Sequence, residues 1–120
     1  MDHSFTGLIP FYGTENLEET DRFYRQILGM SLHKDQGACR IYEVLPGAWV
    51  GFCTHMEVVI GNHSPIITLL TEDVDAVYEH LVEQGWETKD PPQENPRFKI
   101  YHFYVRDPNG YLVEVQRFID

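Results

Sequence analysis

The strongest constraint on how this chain can fold is an internal repeat. Ile9 to Glu18 (IPFYGTENLE) lines up with Ile66 to Asp75 (IITLLTEDVD). Each run reads as a strand, then Thr-Glu-Asn or Thr-Glu-Asp, then the start of a helix. Asn16 and Asp73 are suited to cap those helices, because a short side-chain oxygen can accept from the free N–H groups of a first turn. Glu19, three residues after Asn16, completes a capping-box spacing. Leu17, Phe23, Tyr24, Ile27 and Leu28 fall near helical spacing in the first copy, and Val74, Val77, Tyr78 and Leu81 in the second. Gly29 and Gly85 are placed to end them in the left-handed conformation. Met30 and Trp86 then open new strands.

Each half continues with two further strand signals. The first half has Ala38 to Leu45 and Ala48 to Thr54, joined at Pro46-Gly47. The second has Arg97 to Arg106 and Tyr111 to Phe118, joined at Asp107-Pro108-Asn109-Gly110. Each half therefore reads β-α-β-β-β, with modules at 5–60 and 64–120 of one domain spanning 1–120. Gly61-Asn62-His63-Ser64-Pro65 reads as the link between them. Asp90 to Pro96 reads as a loop, either a surface connection or a cover over a pocket.

A chain of 120 residues that is 42% hydrophobic can build one core, and no apolar run approaches a membrane span. Met1-Asp2-His3-Ser4 has neither the basic nor the apolar part of a secretion signal. Two cysteines, Cys39 and Cys53, do not require a disulfide scaffold, so a reducing cytoplasm is the expected compartment. The formal charge of −10, with no basic cluster, argues against nucleic acid as a partner. The same field favours cationic ligands at long range, although plain solubility is the simpler explanation.

Two stretches carry a family resemblance. Phe23-Tyr24-Arg25-Gln26-Ile27-Leu28-Gly29-Met30 is similar to a helix ending of the glyoxalase/bleomycin-resistance/dioxygenase (vicinal oxygen chelate) superfamily. Asp107-Pro108-Asn109-Gly110-Tyr111-Leu112-Val113-Glu114-Val115 is similar to that family's closing hairpin. With the repeat, they cover nearly the whole chain. The resemblance implies an α+β fold: two βαβββ modules forming a curved eight-stranded sheet, with a half-open cup and helices outside. Ligands and metals sit in the cup of such proteins.

The resemblance also locates where metal-dependent members keep their ligands. Those positions correspond here to Ile9, Ile66, Gly51 and Glu114. Isoleucine and glycine offer no lone pair, and one carboxylate falls short of the roughly three protein ligands of a catalytic metal site. The standard site is therefore expected to be absent and no cofactor is expected. His55, His63 and His102 lie off these positions, so a divalent metal would need a different site built partly from them.

Strand alternation gives a candidate lining. A type I turn with a glycine bulge at Asp107–Gly110 sets Asp107 opposite Tyr111, Tyr104 opposite Glu114 and His102 opposite Gln116. Residues at the positions of His102 and Tyr104 point into the active site of the related fosfomycin-resistance proteins. In the first module, a two-residue loop pairs Leu45 with Ala48, Val44 with Trp49, Tyr42 with Gly51 and Arg40 with Cys53. Cys39, Ile41, Leu45, Val50 and Phe52 are then expected under the helix. Phe11, Arg40, Tyr42, Trp49 and Cys53 are expected on the cup side.

Such a cavity, aromatic with sparse polar groups, has the usual composition of a small-molecule site. Arg40 can clamp a carboxylate or phosphate, or instead pair with Glu114. His102, Tyr104 and Glu114 are candidates for proton transfer. Three functions stay open. One is a metal-independent binding protein, as bleomycin-resistance proteins of this superfamily are, usually as homodimers with grooves at the interface. Another is a metal-dependent lyase, isomerase or dioxygenase with nonstandard ligands around Glu114. The last is a metal-free acid/base enzyme. The expected partners are a small-molecule ligand and a second copy of the chain, with neither nucleic acid nor membrane.

Overall fold

The two copies of the repeat build two sheets of the same topology in a computed structural model, which describes residues 5–61 and 65–120. Met1 to Ser4 and most of the expected link, including His63, lie outside the described residues. The chain divides into two compact units, Met1–Val59 and Ile60–Asp120. The strands of the first are β1 (Phe11–Gly13), β2 (Ser31–Asp35), β3 (Cys39–Leu45) and β4 (Ala48–Cys53). Those of the second are β5 (Ile67–Leu70), β6 (Gln93–Asn95), β7 (Ile100–Arg106) and β8 (Leu112–Phe118). Their orders are β1-β4-β3-β2 and β5-β8-β7-β6. In each, the strand before the helix runs parallel to the last strand and the other pairings are antiparallel. The expected eight strands are thus present as one four-stranded mixed sheet per module.

The first helix, α1 (Leu17–Asp21), is capped as its sequence predicts: Glu19 N donates to Asn16 Oδ1 at 3.0 Å. It widens into a π-helix over Arg22–Ile27, with Leu28 N reaching back to Phe23 O at 2.9 Å. Phe23, Tyr24 and Ile27 are buried there. The second helix, α2 (Val74–Glu83), differs from its expected start, because Asp73 makes no side-chain capping bond. Thr71 Oγ1 accepts from Asp73 N at 3.1 Å, as Thr14 Oγ1 does from Asn16 N. Gly29 and Gly85 follow the two helices at φ +80° and +85°, where a Cβ would be strained.

The expected loop from Asp90 to Pro96 contains β6, which pairs with Ile100–His102. The strand expected from Trp86 is reduced to one bridge, Thr88 to Val105. Strand β7 starts at Ile100 rather than Arg97, after a turn that holds Lys99 at φ 55°.

The register of β3 on β4 corrects the first module's lining. Leu45 pairs with Ala48 as expected, but a bulge between Glu43 and Leu45 shifts everything beyond it. Glu43 then faces Trp49, Tyr42 faces Val50, Ile41 faces Gly51, Arg40 faces Phe52 and Cys39 faces Cys53. A one-residue shift turns each side chain to the other face of the sheet. Tyr42 and Arg40 therefore lie under the helix with Val50 and Phe52, while Cys39 and Ile41 lie on the far face.

The helix side is an aromatic cluster with one buried carboxylate. Tyr24 and Phe52 have ring centroids 4.6 Å apart, and Tyr42 lies 6.2 Å from Tyr24. Asp21, 3% exposed, accepts from Tyr42 Oη at 2.9 Å and from Arg25 Nη2 at 2.7 Å. Arg40 bonds Glu18 at 2.9 Å, and its other nitrogens stand 3.8 Å from Asp21 and Asp35. The Arg25 hydrogen bonds hold the Asp21 carboxyl below its ordinary range despite burial. Burial, then the bond to Asp21, pushes the Tyr42 phenol up.

The Asp21 contribution to stability is full above its ordinary pKa and is lost as pH falls through the lowered native value. Asp21→Asn is expected to lose roughly 2 kcal/mol at neutral pH, the scale of a charge-assisted hydrogen bond. Urea titrations of wild type and variant should converge as pH falls below the usual carboxylate range. A gap that persists in acid would assign the loss to packing.

Candidate functional site

In the second module the sequence of the last turn sets the register directly. Asp107, buried, accepts from Asn109 N and Tyr111 N through Oδ1, both at 2.9 Å. Gly110 takes φ +96° and donates from N to Asp107 O at 3.0 Å. With Asp107 N donating to Tyr111 O at 2.9 Å, this is the expected type I turn with its glycine bulge, so His102 pairs with Gln116 and Tyr104 with Glu114. These four side chains share the face turned away from α2. Phe103, Val113 and Val115 lie on the other, where Tyr78 packs edge-on against Phe103 at 5.4 Å.

His102 and Glu114 form a buried pair: Nδ1 stands 2.7 Å from Oε2, with both side chains about 10% exposed. The other carboxylate oxygen accepts from Thr68 Oγ1 at 3.1 Å. Thr68 is on β5, directly beside Glu114 in the parallel pairing. Tyr104 packs edge-on against the His102 ring at 5.1 Å and is more exposed than the pair. Burial, then the charge of Glu114, raises the Tyr104 phenol above its ordinary value.

Two depressions open on this cluster. One, of about 210 Å³, is bounded by His102 and Tyr104 together with Lys89, Asp90, Pro91 and Gln93. The segment from Asp90 thus does border a pocket. The other, shallower, runs past Glu114, Gln116, Phe98 and Phe118. A carboxylate fixed on one imidazole nitrogen orients the ring and leaves the other nitrogen for a ligand or a proton. The arrangement can therefore bind a polar group, or exchange a proton with it, beside an aromatic wall.

The first module contributes a different surface. The row equivalent to Thr68, Glu114 and Tyr104 is Phe11, Gly51 and Ile41. The Phe11 ring lies over Gly51, and a Cβ added there would stand 2.5 Å from it. Trp49 is on this face with His33 stacked on it at 5.0 Å. Cys53 is also here, joined to Cys39 by a disulfide between directly opposed strands, Cα to Cα 4.1 Å. That bond corrects the expectation of two free thiols on opposite faces. Of the expected lining, Phe11, Trp49 and Cys53 share a face. Arg40 and Tyr42 are instead held against the helix by its acidic groups.

These residues do not fit the family's metal site. Phe11 fills the space a ligand at position 51 would need. Both Glu114 oxygens are engaged, and among the described residues no group of three His, Cys, Asp or Glu ligand atoms includes Glu114. Sequence reasoning missed Thr68, although the repeat aligns it with Phe11, and it missed Lys89 and His33, for which the sequence carries no signal.

The model of the Glyoxalase/Bleomycin resistance protein/Dioxygenase superfamily matches residues 8–115. Solved structures share the fold at low identity. A glyoxalase/bleomycin resistance protein/dioxygenase from Alicyclobacillus acidocaldarius aligns with a TM-score of 0.78 at 15% identity, covering 100% of this chain and 96% of that one. One from Nocardioides gives 0.74 at 20%, covering 100% and 86%. A glyoxalase-related enzyme from Fulvimarina pelagi gives 0.71 at 20%, covering 91% and 85%. No curated protein matches the chain in sequence.

Glu114→Gln removes the charge that raises Tyr104 while keeping its shape. The Tyr104 phenol should then ionise at lower pH, still above the ordinary value because burial is the larger cause. An ultraviolet difference titration against Tyr104→Phe isolates this group. An unchanged titration would show that the Glu114 charge does not reach it.

Proposed function

This chain belongs to the Glyoxalase/Bleomycin resistance protein/Dioxygenase superfamily, and from that premise we propose that it binds a small organic molecule without a catalytic metal, on the His102–Tyr104–Glu114–Gln116 face. The observation that carries this reading is the buried His102–Glu114 pair at 2.7 Å, whose imidazole lines a pocket of about 210 Å³. A polar pair beside aromatic surface orients a ligand, while the apolar walls supply affinity. In the first module, Arg40 and Tyr42 serve the helix packing, and Phe11, Trp49 and Cys53 share the other face of their sheet. A homodimer is part of the proposal, as is a cytoplasmic location. No helix among the described residues is long and apolar enough to cross a membrane.

A metal-free acid/base enzyme is the second reading, favoured by the same pair. Glu114 on Nδ1 would hold the His102 ring so that its other nitrogen can take a proton from a bound substrate, with Tyr104 adjacent.

Thermal melts in excess EDTA, with bleomycin, the hemithioacetal of methylglyoxal and glutathione, and catechol, separate the readings. Binding predicts a saturable rise in melting temperature without turnover, worth about 2.7 kcal/mol at a hundredfold excess over Kd. The rise should disappear in Tyr104→Ala. Turnover in EDTA that falls at least tenfold in His102→Ala would install the acid/base reading. Turnover abolished by EDTA would overturn both.

A further inference from the structure

The first module carries a second cluster of donors, remote in chemistry from the His102–Glu114 pair. Cys39 and Cys53 face each other across β3 and β4, and His55 follows Cys53 by two residues. The two sulfurs and a ring nitrogen of His55 all lie within 4.8 Å of one another. His55 Nδ1 is 3.8 Å from Cys39 Sγ. The sulfurs are buried and the histidine is exposed. The backbone holds this end of the hairpin: Thr54 N donates to Ala38 O at 2.8 Å, and Gln36 N to Cys39 O at 2.8 Å.

A disulfide has no use for an imidazole aimed at its sulfur. A metal ion does. Zinc bonds thiolate sulfur at about 2.3 Å and imidazole nitrogen at about 2.0 Å, which sets tetrahedral ligand atoms roughly 3.5–3.8 Å apart. The His55–Cys39 separation already matches that spacing, and opposed cysteines reach it once their bond is broken. Two thiolates and one imidazole suit zinc over magnesium or calcium, which prefer oxygen. Three protein ligands with the exposed one at the rim leave a fourth position open to water.

We propose that the reduced chain binds one zinc ion through Cys39, Cys53 and His55, and that the disulfide and the metal exclude each other. Reduction of the disulfide takes two electrons and two protons and gives two thiols. Zinc then displaces those two protons as it bonds the sulfurs. With a phosphine as reductant, water supplies the oxygen of the phosphine oxide and the two protons. The proposal is independent of the ligand-binding reading, because the His102–Tyr104–Glu114–Gln116 face holds none of these three residues.

Cobalt(II) is the probe. Full-length protein is reduced with a water-soluble phosphine, desalted without oxygen and titrated with cobalt, then with zinc. The expected result is thiolate-to-cobalt charge transfer and tetrahedral visible bands saturating at one equivalent, and their loss when zinc is added. His55→Ala, at an exposed position that leaves the core intact, should weaken the apparent affinity roughly 100-fold, the share of one ligand in a zinc site. The unreduced protein should show no band. Absence of the band in reduced wild type, an unchanged affinity in His55→Ala, or an equal band before reduction would each overturn the proposal.

Discussion

The single residue inserted into β3 beside Val44 fixes the chemistry of the whole first module. A strand has two faces and one helix covers one of them, so register decides which side chains enter the core. With the bulge, Tyr42 and Arg40 point at the helix and meet Asp21 and Glu18. Tyr42 fills the space between Tyr24 and Val50, and its hydroxyl satisfies a carboxylate that burial would otherwise penalise. The same shift brings Cys39 opposite Cys53 and puts Ile41 beside Gly51. Without it, two polar side chains would face away from the helix and the cysteines would lie on opposite faces.

The second module needs no such correction, because its turn is specified by a side chain. Asp107 accepts two backbone N–H groups and Gly110 supplies the positive φ, so the pairing that follows is set within four residues. Pro46-Gly47 has no such acceptor, and the strand adjusts beyond it. The shared topology therefore ends in two unlike faces. Where one module stacks Thr68, Glu114 and Tyr104 beside His102, the other stacks Phe11, Gly51 and Ile41. The polar chemistry is concentrated in the second copy, and the sulfur chemistry in the first.

Local signals were readable where one residue type has one physical role. Asn16 caps its helix, and Gly29 and Gly85 end theirs. The signals failed where backbone conformation or a distant partner decides. Thr71 meets the Asp73 N–H as Thr14 meets that of Asn16, but Asp73 sits at φ −104°, ψ 53° instead of the extended backbone of Asn16, and its side chain does not cap. The helix after Asp21 widens into a π turn that apolar spacing cannot distinguish from an ordinary one. The polar run Gln93 to Asn95 has no strand-like alternation, yet it pairs with Ile100–His102 because that strand's edge must be satisfied.

By itself the sequence determined the βαβββ repeat, the strand and helix order, the D-P-N-G hairpin and the row His102, Tyr104, Glu114, Gln116. These follow from periodicity and turn chemistry, which act over a few neighbouring residues. Only the tertiary structure decided that Arg40 and Tyr42 belong to the core, that Thr68 completes the Glu114 pair, and that Cys39, Cys53 and His55 meet. Each of those depends on one extra residue in a strand or on a parallel partner some 46 residues away in sequence. Local propensity carries no information about pairings at that range, because their energy appears only when the sheet is assembled.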